Sequence, residues 1–417
     1  LSHLGAACAV LCLVSFCAIA RAQTPSVTPA PDDAAFFDYD SQAPFAVTET
    51  PMGMQGGASV TRITYPSPVV TPYPEDNTVT AYLFLPSGTG PYPAMVVLHE
   101  WNPSSTRAGF GLASAAARAN VSALVVVEPY SLNRRAKNPK GTAPAILSGN
   151  LPEMVGALRQ AVLDARRGLD YLSRRPDIDP QRLGVGGISL GGVLSGLVTK
   201  VDPRVQATVT LVGGADFARG FWVGLLTRKY RKQILRDGYT YDEFLRAMAP
   251  IEANHWPRPI DPANVLMIDG RYDLVILPRG AKALSQALGD TRIVWLNSGH
   301  YGASLSAKPA AALTEQFLRA RFYGDRAAYH PPDTLPSKTI KLGFLIGGHE
   351  GLSPAIAYQV IDFDRAGRYS LDGQLTLHGL SAGLSARLTP TLALGLEFPL
   401  FHGDVKPKPY LLAHIVL

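Results

Sequence analysis

The chain has 417 residues, 47% of them hydrophobic and 17% charged, and a formal net charge of +6. That balance excludes an intrinsically disordered chain and allows one large domain plus something smaller. Its basic residues are scattered apart from one cluster, so it offers no basic surface for nucleic acid.

In chain order, an apolar run at 5–20 ends in Ala20-Arg21-Ala22, with small residues two apart just before Gln23. This is the pattern of a secretory signal peptide, residues 1–22, and it predicts export with cleavage after Ala22. A membrane anchor needs about 20 apolar residues, more than the run supplies. The lack of a starting Met and of a basic segment before the run fits a truncated start or a non-Met start codon. Cys8, Cys12 and Cys17 all lie in this leader. No disulfide, thiol nucleophile or Cys-ligated metal is therefore expected in the mature chain. Bulky Phe16 ahead of Cys17 argues against a lipoprotein.

Residues 23–44 open rich in Pro, Thr and Ala and read as a linker. Strand patterns follow at 59–65 and 78–86, the second with Val79, Ala81, Leu83 and Leu85 on one face, as in antiparallel strands at a sheet edge. Continuous apolar runs at 94–98, 122–127, 183–186, 205–212, 265–268 and 293–296 then predict strands buried on both faces. Helical periodicities at 109–119, 151–175, 190–199, 281–288 and 310–322 separate them. Residues 45–325 are thus expected to form an α/β domain, doubly wound on a mainly parallel sheet. At 216–262 two helix-like pieces interrupt the alternation, and an insertion above the strand ends reads as a helical lid. Its basic cluster, Arg228, Lys229, Arg231, Lys232 and Arg236, reads as a solvated face.

The chemistry centres on Gly187-Ile188-Ser189-Leu190-Gly191, between an apolar strand and a helix, which fits G-x-S-x-G. The glycines let the serine sit on a sharp strand-to-helix turn, with the Leu190 amide aimed at a developing oxyanion. A serine hydroxyl needs a base, and the base needs an orienting acid. Asp273 and His300 each stand just past a buried strand, in the order Ser, Asp, His. Asp269 falls on the strand end itself. His255 lies in the predicted lid, and His330, His349, His378, His402 and His414 come after the last helix.

These motifs resemble the α/β-hydrolase superfamily, and within it the dienelactone-hydrolase-like and acetyl-esterase-like serine hydrolases, over residues 45–322. The resemblance implies that Leu98-His99-Glu100-Trp101 is the oxyanion segment, with the backbone N–H groups of Trp101 and Leu190 as donors. Glu100 matches a glutamate that contacts the nucleophile in dienelactone hydrolases, where the nucleophile is cysteine instead of Ser189. Tyr130, Arg134 and Arg135 follow the strand ending at Val127 and Glu128 and are expected near the mouth of the site, where an arginine would meet a substrate carboxylate; two solvated loop arginines are the alternative. His99-Glu100 lacks the second histidine of a zinc helix, so no metal is expected, and the chemistry needs no cofactor. The function implied is an exported serine carboxylesterase acting on a small-molecule ester. A peptidase of oligopeptidase type and a noncatalytic surface or binding protein are the alternatives.

From 338 to 417 the pattern turns to alternation, with about six strands broken by Gly, Asp and Pro turns, an all-β appendix. Residues 380–398 look like an outer-membrane barrel hairpin, which leaves outer-membrane association through this segment open. Six strands are expected to be too few to close such a barrel alone. Chains sharing a barrel, an incomplete chain, or a soluble sheet packed on the α/β domain are the three readings, the last preferred.

Overall fold

The structure is a computed structural model that describes residues 33, 35–136, 145–325, 329–349, 351–364, 367–400 and 406–417. The predicted leader, with its cysteines, and half of the predicted linker lie outside the described residues. The rest of the linker is no linker. Phe37 is buried, Arg159 and Arg166 donate to the carbonyls of Phe36 and Phe37 at 2.5 Å each, and the Tyr39 hydroxyl donates to Asp170 at 2.9 Å. The aromatic residues of this stretch have apolar surface to bury, and the α/β domain starts upstream of residue 45.

Ten strands form one sheet in the order β1-β2-β3-β5-β4-β6-β7-β8-β9-β10. β1 (Thr48–Gln55), β2 (Ala58–Pro66) and β3 (Thr78–Pro86) are antiparallel neighbours at one edge. β4 (Tyr92–Leu98), β5 (Ser122–Val126), β6 (Ile178–Ile188), β7 (Val205–Leu211), β8 (Val265–Gly270), β9 (Ile293–Leu296) and β10 (Thr334–Leu335) run parallel. Helices cover both faces, which is why β4 and β5 are buried at every residue. One core lies between the sheet and α2 (Leu151–Ser173) and α3 (Leu190–Val201). The other lies beneath α1 (Arg107–Arg118) and α8 (Ala307–Tyr323), and α7 (Pro278–Ala287) joins the first.

The interval 216–262 holds three helices where two pieces are expected: α4 (Phe217–Val223), α5 (Arg228–Arg236) and α6 (Tyr241–Met248). The first piece splits because Gly224 leaves the helical region at φ −60° and ψ 140°. The Thr227 hydroxyl then donates back to the Phe221 carbonyl. A capping box between Thr240 and Glu243 starts α6. Phe221 stacks between Tyr230 and Phe244, with ring centroids at 6.2 and 5.6 Å, and this aromatic cluster ties the three short helices together.

The appendix consists of β11 (Ile340–Gly347), β12 (Gly351–Asp362), β13 (Tyr369–Thr376), β14 (Gly379–Thr389), β15 (Leu392–Pro399) and β16 (Lys408–Val416). The expectation that six strands are too few to close needs correcting: they close on themselves, β16 pairing antiparallel with β11. Small inward residues make so narrow a barrel possible. A Cβ on Gly383 or Gly395 would stand 2.6 Å from the Tyr410 side chain, which fills the lumen beside them.

Candidate active site

Ser189 ends β6 and caps α3 with φ 58° and ψ −117°, a strained region for any residue with a side chain. Its amide donates to the Leu211 carbonyl of β7 at 2.8 Å, and the Gly191 amide donates to the His99 carbonyl at 3.0 Å. The turn is therefore pinned to the strands on either side of β6. A Cβ on Gly187 would meet the Gly191 carbonyl oxygen at 2.2 Å, and one on Gly191 the Leu98 carbonyl oxygen at 2.3 Å. No larger residue fits either position.

The serine hydroxyl lies 2.9 Å from His300 Nε2, and His300 Nδ1 lies 2.6 Å from Asp273 Oδ2. The other carboxylate oxygen of Asp273 accepts from the amides of Val275 at 2.7 Å and Ile276 at 2.8 Å, which fixes its plane. Those two amides escape sequence reading, since backbone donors leave no residue signature. Tyr301 packs edge-on against His300 with ring centroids 5.5 Å apart.

No family model matches the sequence. A curated protein of Bacillus subtilis, "Putative hydrolase YtaP", is 33% identical over 55 residues, 13% of this chain and 18% of that protein. The chain therefore matches less than a fifth of that relative's length. Among solved structures, an acetyl xylan esterase from Paenibacillus sp. superposes with a TM-score of 0.54 at 18% identity, covering 70% of this chain and 96% of that one. Acetyl Xylan Esterase 1 from Thermoanaerobacterium sp. does so at 0.52 and 17%, covering 70% and 95%. The chain has the α/β-hydrolase fold.

The α/β domain carries a cleft beside Ser189. It is lined by Trp101 and Leu190, by Phe217, Phe221 and Leu225 from α4 and the turn after it, and by Leu274 and Ile276 from the loop after Asp273. The predicted lid region thus forms one wall, mostly apolar, with Asp216 and Thr227 as its polar members. Trp101 and Leu190, the expected oxyanion donors, stand on this cleft with the serine.

The other expected residues part company. Arg134 is fully buried, 2.8 Å from Asp164 and 3.1 Å from Asp76, and donates to the Val127 and Asp76 carbonyls. It is a core ion-pair residue, which corrects its placement at the mouth. A guanidinium buried among two carboxylates and two carbonyls faces the core, away from any ligand at the mouth. Tyr130 is likewise buried, its amide donating to Asp76 at 3.0 Å and its ring edge-on to Tyr73. Arg135 remains exposed and donates to Asn102, just past Trp101, at 2.7 Å. Glu100 is partly buried, and burial raises its carboxyl above the usual range.

Beneath Glu100 lies a pair the sequence did not reveal. The Glu128 amide donates to His99 Nε2 at 3.0 Å, so the ring proton sits on Nδ1 and is donated to the Glu100 carbonyl at 2.7 Å. Burial depresses His99 to about 4 and pushes Glu128 well above the usual carboxylate range. Burial thus disfavours the charged form of each. Asp269 is buried in β8, with burial and then the Asp273 charge holding its carboxyl well up. His255 pairs with Asp33 at 2.9 Å, and nothing in its contacts involves the serine.

Proposed function

We propose that this chain is an exported serine carboxylesterase, in which Ser189, His300 and Asp273 hydrolyse a small carboxylic ester through an acyl-enzyme. The observation that carries the reading is the hydrogen-bonded relay from Ser189 to His300 to Asp273, mounted on a strained turn beside an apolar cleft. His300 Nε2 accepts the hydroxyl proton as the serine oxygen attacks the ester carbonyl. The amides of Trp101 and Leu190 take the oxyanion, each such donor worth about 3 to 4 kcal/mol in the transition state. When the tetrahedral adduct collapses, the alcohol leaves with the proton from His300. Water then attacks the acyl-serine, giving its proton to His300, and the acid departs as that proton returns to Ser189. Asp273 stays ionised throughout and stabilises the imidazolium.

The structural neighbours support an ester as substrate, since those named above are acetyl xylan esterases. Export rests on the apolar run and the Ala20-Arg21-Ala22 pattern. The intact relay weighs against a noncatalytic binding protein.

The test is turnover of p-nitrophenyl esters, graded from acetyl to palmitoyl, by the chain from Gln23 onwards. Ser189→Ala is expected to lower kcat by at least about 1,000-fold and to abolish labelling by a fluorophosphonate. Unchanged turnover in the variant would refute the assignment. A folded wild type that neither turns over nor takes the label would restore the binding-protein reading.

A further inference from the structure

The barrel carries an apolar outer wall, and its lumen is part apolar, with Leu345, Ala355, Ala357, Ala393 and Leu412 packed round Tyr410, and part polar. Its lumen holds Lys341 and Asp372, paired at 2.7 Å, with Ser370 and Ser385 hydrogen-bonded to the same carboxylate at 2.9 and 2.8 Å. Gln374, Glu397 and His414 are buried with them. On the outside the residues are aliphatic. Successive hydrogen-bonded neighbours Ile415, Leu342, Ile356, Leu375 and Leu380 run from β16 through β11, β12 and β13 to β14, all facing out. Leu371, Leu384 and Leu396 continue the belt across β13, β14 and β15.

We propose that this outer wall is covered by the hydrocarbon core of a lipid bilayer, and that the barrel anchors the hydrolase domain to a membrane. Closure is the deciding feature. The apolar surface runs round the whole circumference, and a second copy of the chain would cover only one side of it, whereas lipid surrounds it. Height agrees as well: strands of 8 to 12 residues reach about 20 to 30 Å along the axis at a tilt of about 40°, against about 25 Å for the apolar band of membrane barrels. Three exposed aromatic residues stand at one rim, while Phe344 stands on the wall away from it. Tyr358, Phe363 and Tyr369 are exposed at the end nearest the hydrolase domain, where an interface girdle would lie. Among the described residues no helix is long and apolar enough to span a membrane, so the attachment rests on the barrel.

The test uses the full chain from Gln23, refolded with dilauroylphosphatidylcholine vesicles, floated on a density gradient and washed with alkaline carbonate. The wild type is expected to float and to survive the wash. Ile356→Arg combined with Leu384→Arg, at mid-height on the outer wall, is expected to reduce the floating fraction by at least about tenfold. All four tryptophans, Trp101, Trp222, Trp256 and Trp295, lie in the hydrolase domain, so an unchanged fluorescence spectrum shows that the variant's other domain is folded. Wild type that stays in detergent-free buffer as a monomer overturns the proposal. So does a discrete soluble oligomer, in which a second copy is the cover, and so does a pellet that vesicles do not rescue.

Discussion

His99 shows how a single buried side chain shapes the ground beneath a site. With no exposure, one ring nitrogen accepting from the Glu128 amide and the other donating to the Glu100 carbonyl, the ring is held neutral and braces the chain just before Trp101. Its pKa is lowered to about 4 from an ordinary value near 6.5. The unfolded chain therefore binds a proton between those values that the folded chain refuses. The group's contribution is fully present above about 6.5 and is lost as pH falls towards 4, by up to about 3 kcal/mol. Asp164, raised to about 6 by burial, acts against it. Comparing wild type with His99→Gln isolates the first. Urea unfolding followed by tryptophan fluorescence should show a shallower loss of stability between pH 6.5 and 4.5 in the variant, and equal slopes would contradict the neutral ring. Sequence marks His99 only as the residue before Glu100. Its state depends on an amide 29 positions away, which no local pattern encodes.

At the scale of elements, the lid illustrates what periodicity captures and what it misses. Apolar spacing reveals helices in 216–262, while the break after Val223 and the cluster of Phe221, Tyr230 and Phe244 depend on how three short helices meet. Phe221 faces both ways, into that cluster and onto the cleft beside Ser189. Phe221→Ala should open space on the acyl side and cost about 3 to 5 kcal/mol of stability. The expected kinetic outcome is a shift of the best kcat/KM from short towards longer acyl esters across the p-nitrophenyl series. An unmoved chain-length preference, in a variant that remains folded, would detach Phe221 from the pocket. The parallel strands were far easier to read, because burial on both faces leaves continuous apolar runs whatever the helices above them do.

The whole molecule joins its two halves at the loops that carry Asp273 and His300. The Gly299 amide, next to His300, donates to the Leu417 carbonyl at 2.9 Å, and the Asn297 amide donates to the Ser337 hydroxyl at 2.7 Å. Arg387, at the barrel rim, lies 4.1 Å over the ring of Tyr272, the residue before Asp273. The barrel end thus touches the loops that carry Asp273 and His300, with Arg387 packed against the first. Arg387→Ala should lower kcat by up to about thirty-fold with KM nearly unchanged, and Arg387→Lys should restore part of it. A change confined to KM, or no rescue by lysine, would count against a part for that contact in turnover. By itself the sequence determined the α/β alternation, the turn that carries Ser189, the order Ser, Asp, His and the existence of six further strands, because each is written in local spacing. Only the tertiary structure decided that the last strand meets the first, that Arg134 lies in the core, and which face of the barrel points outwards. Strand periodicity separates two faces without saying which is inside, and closure alone settles that.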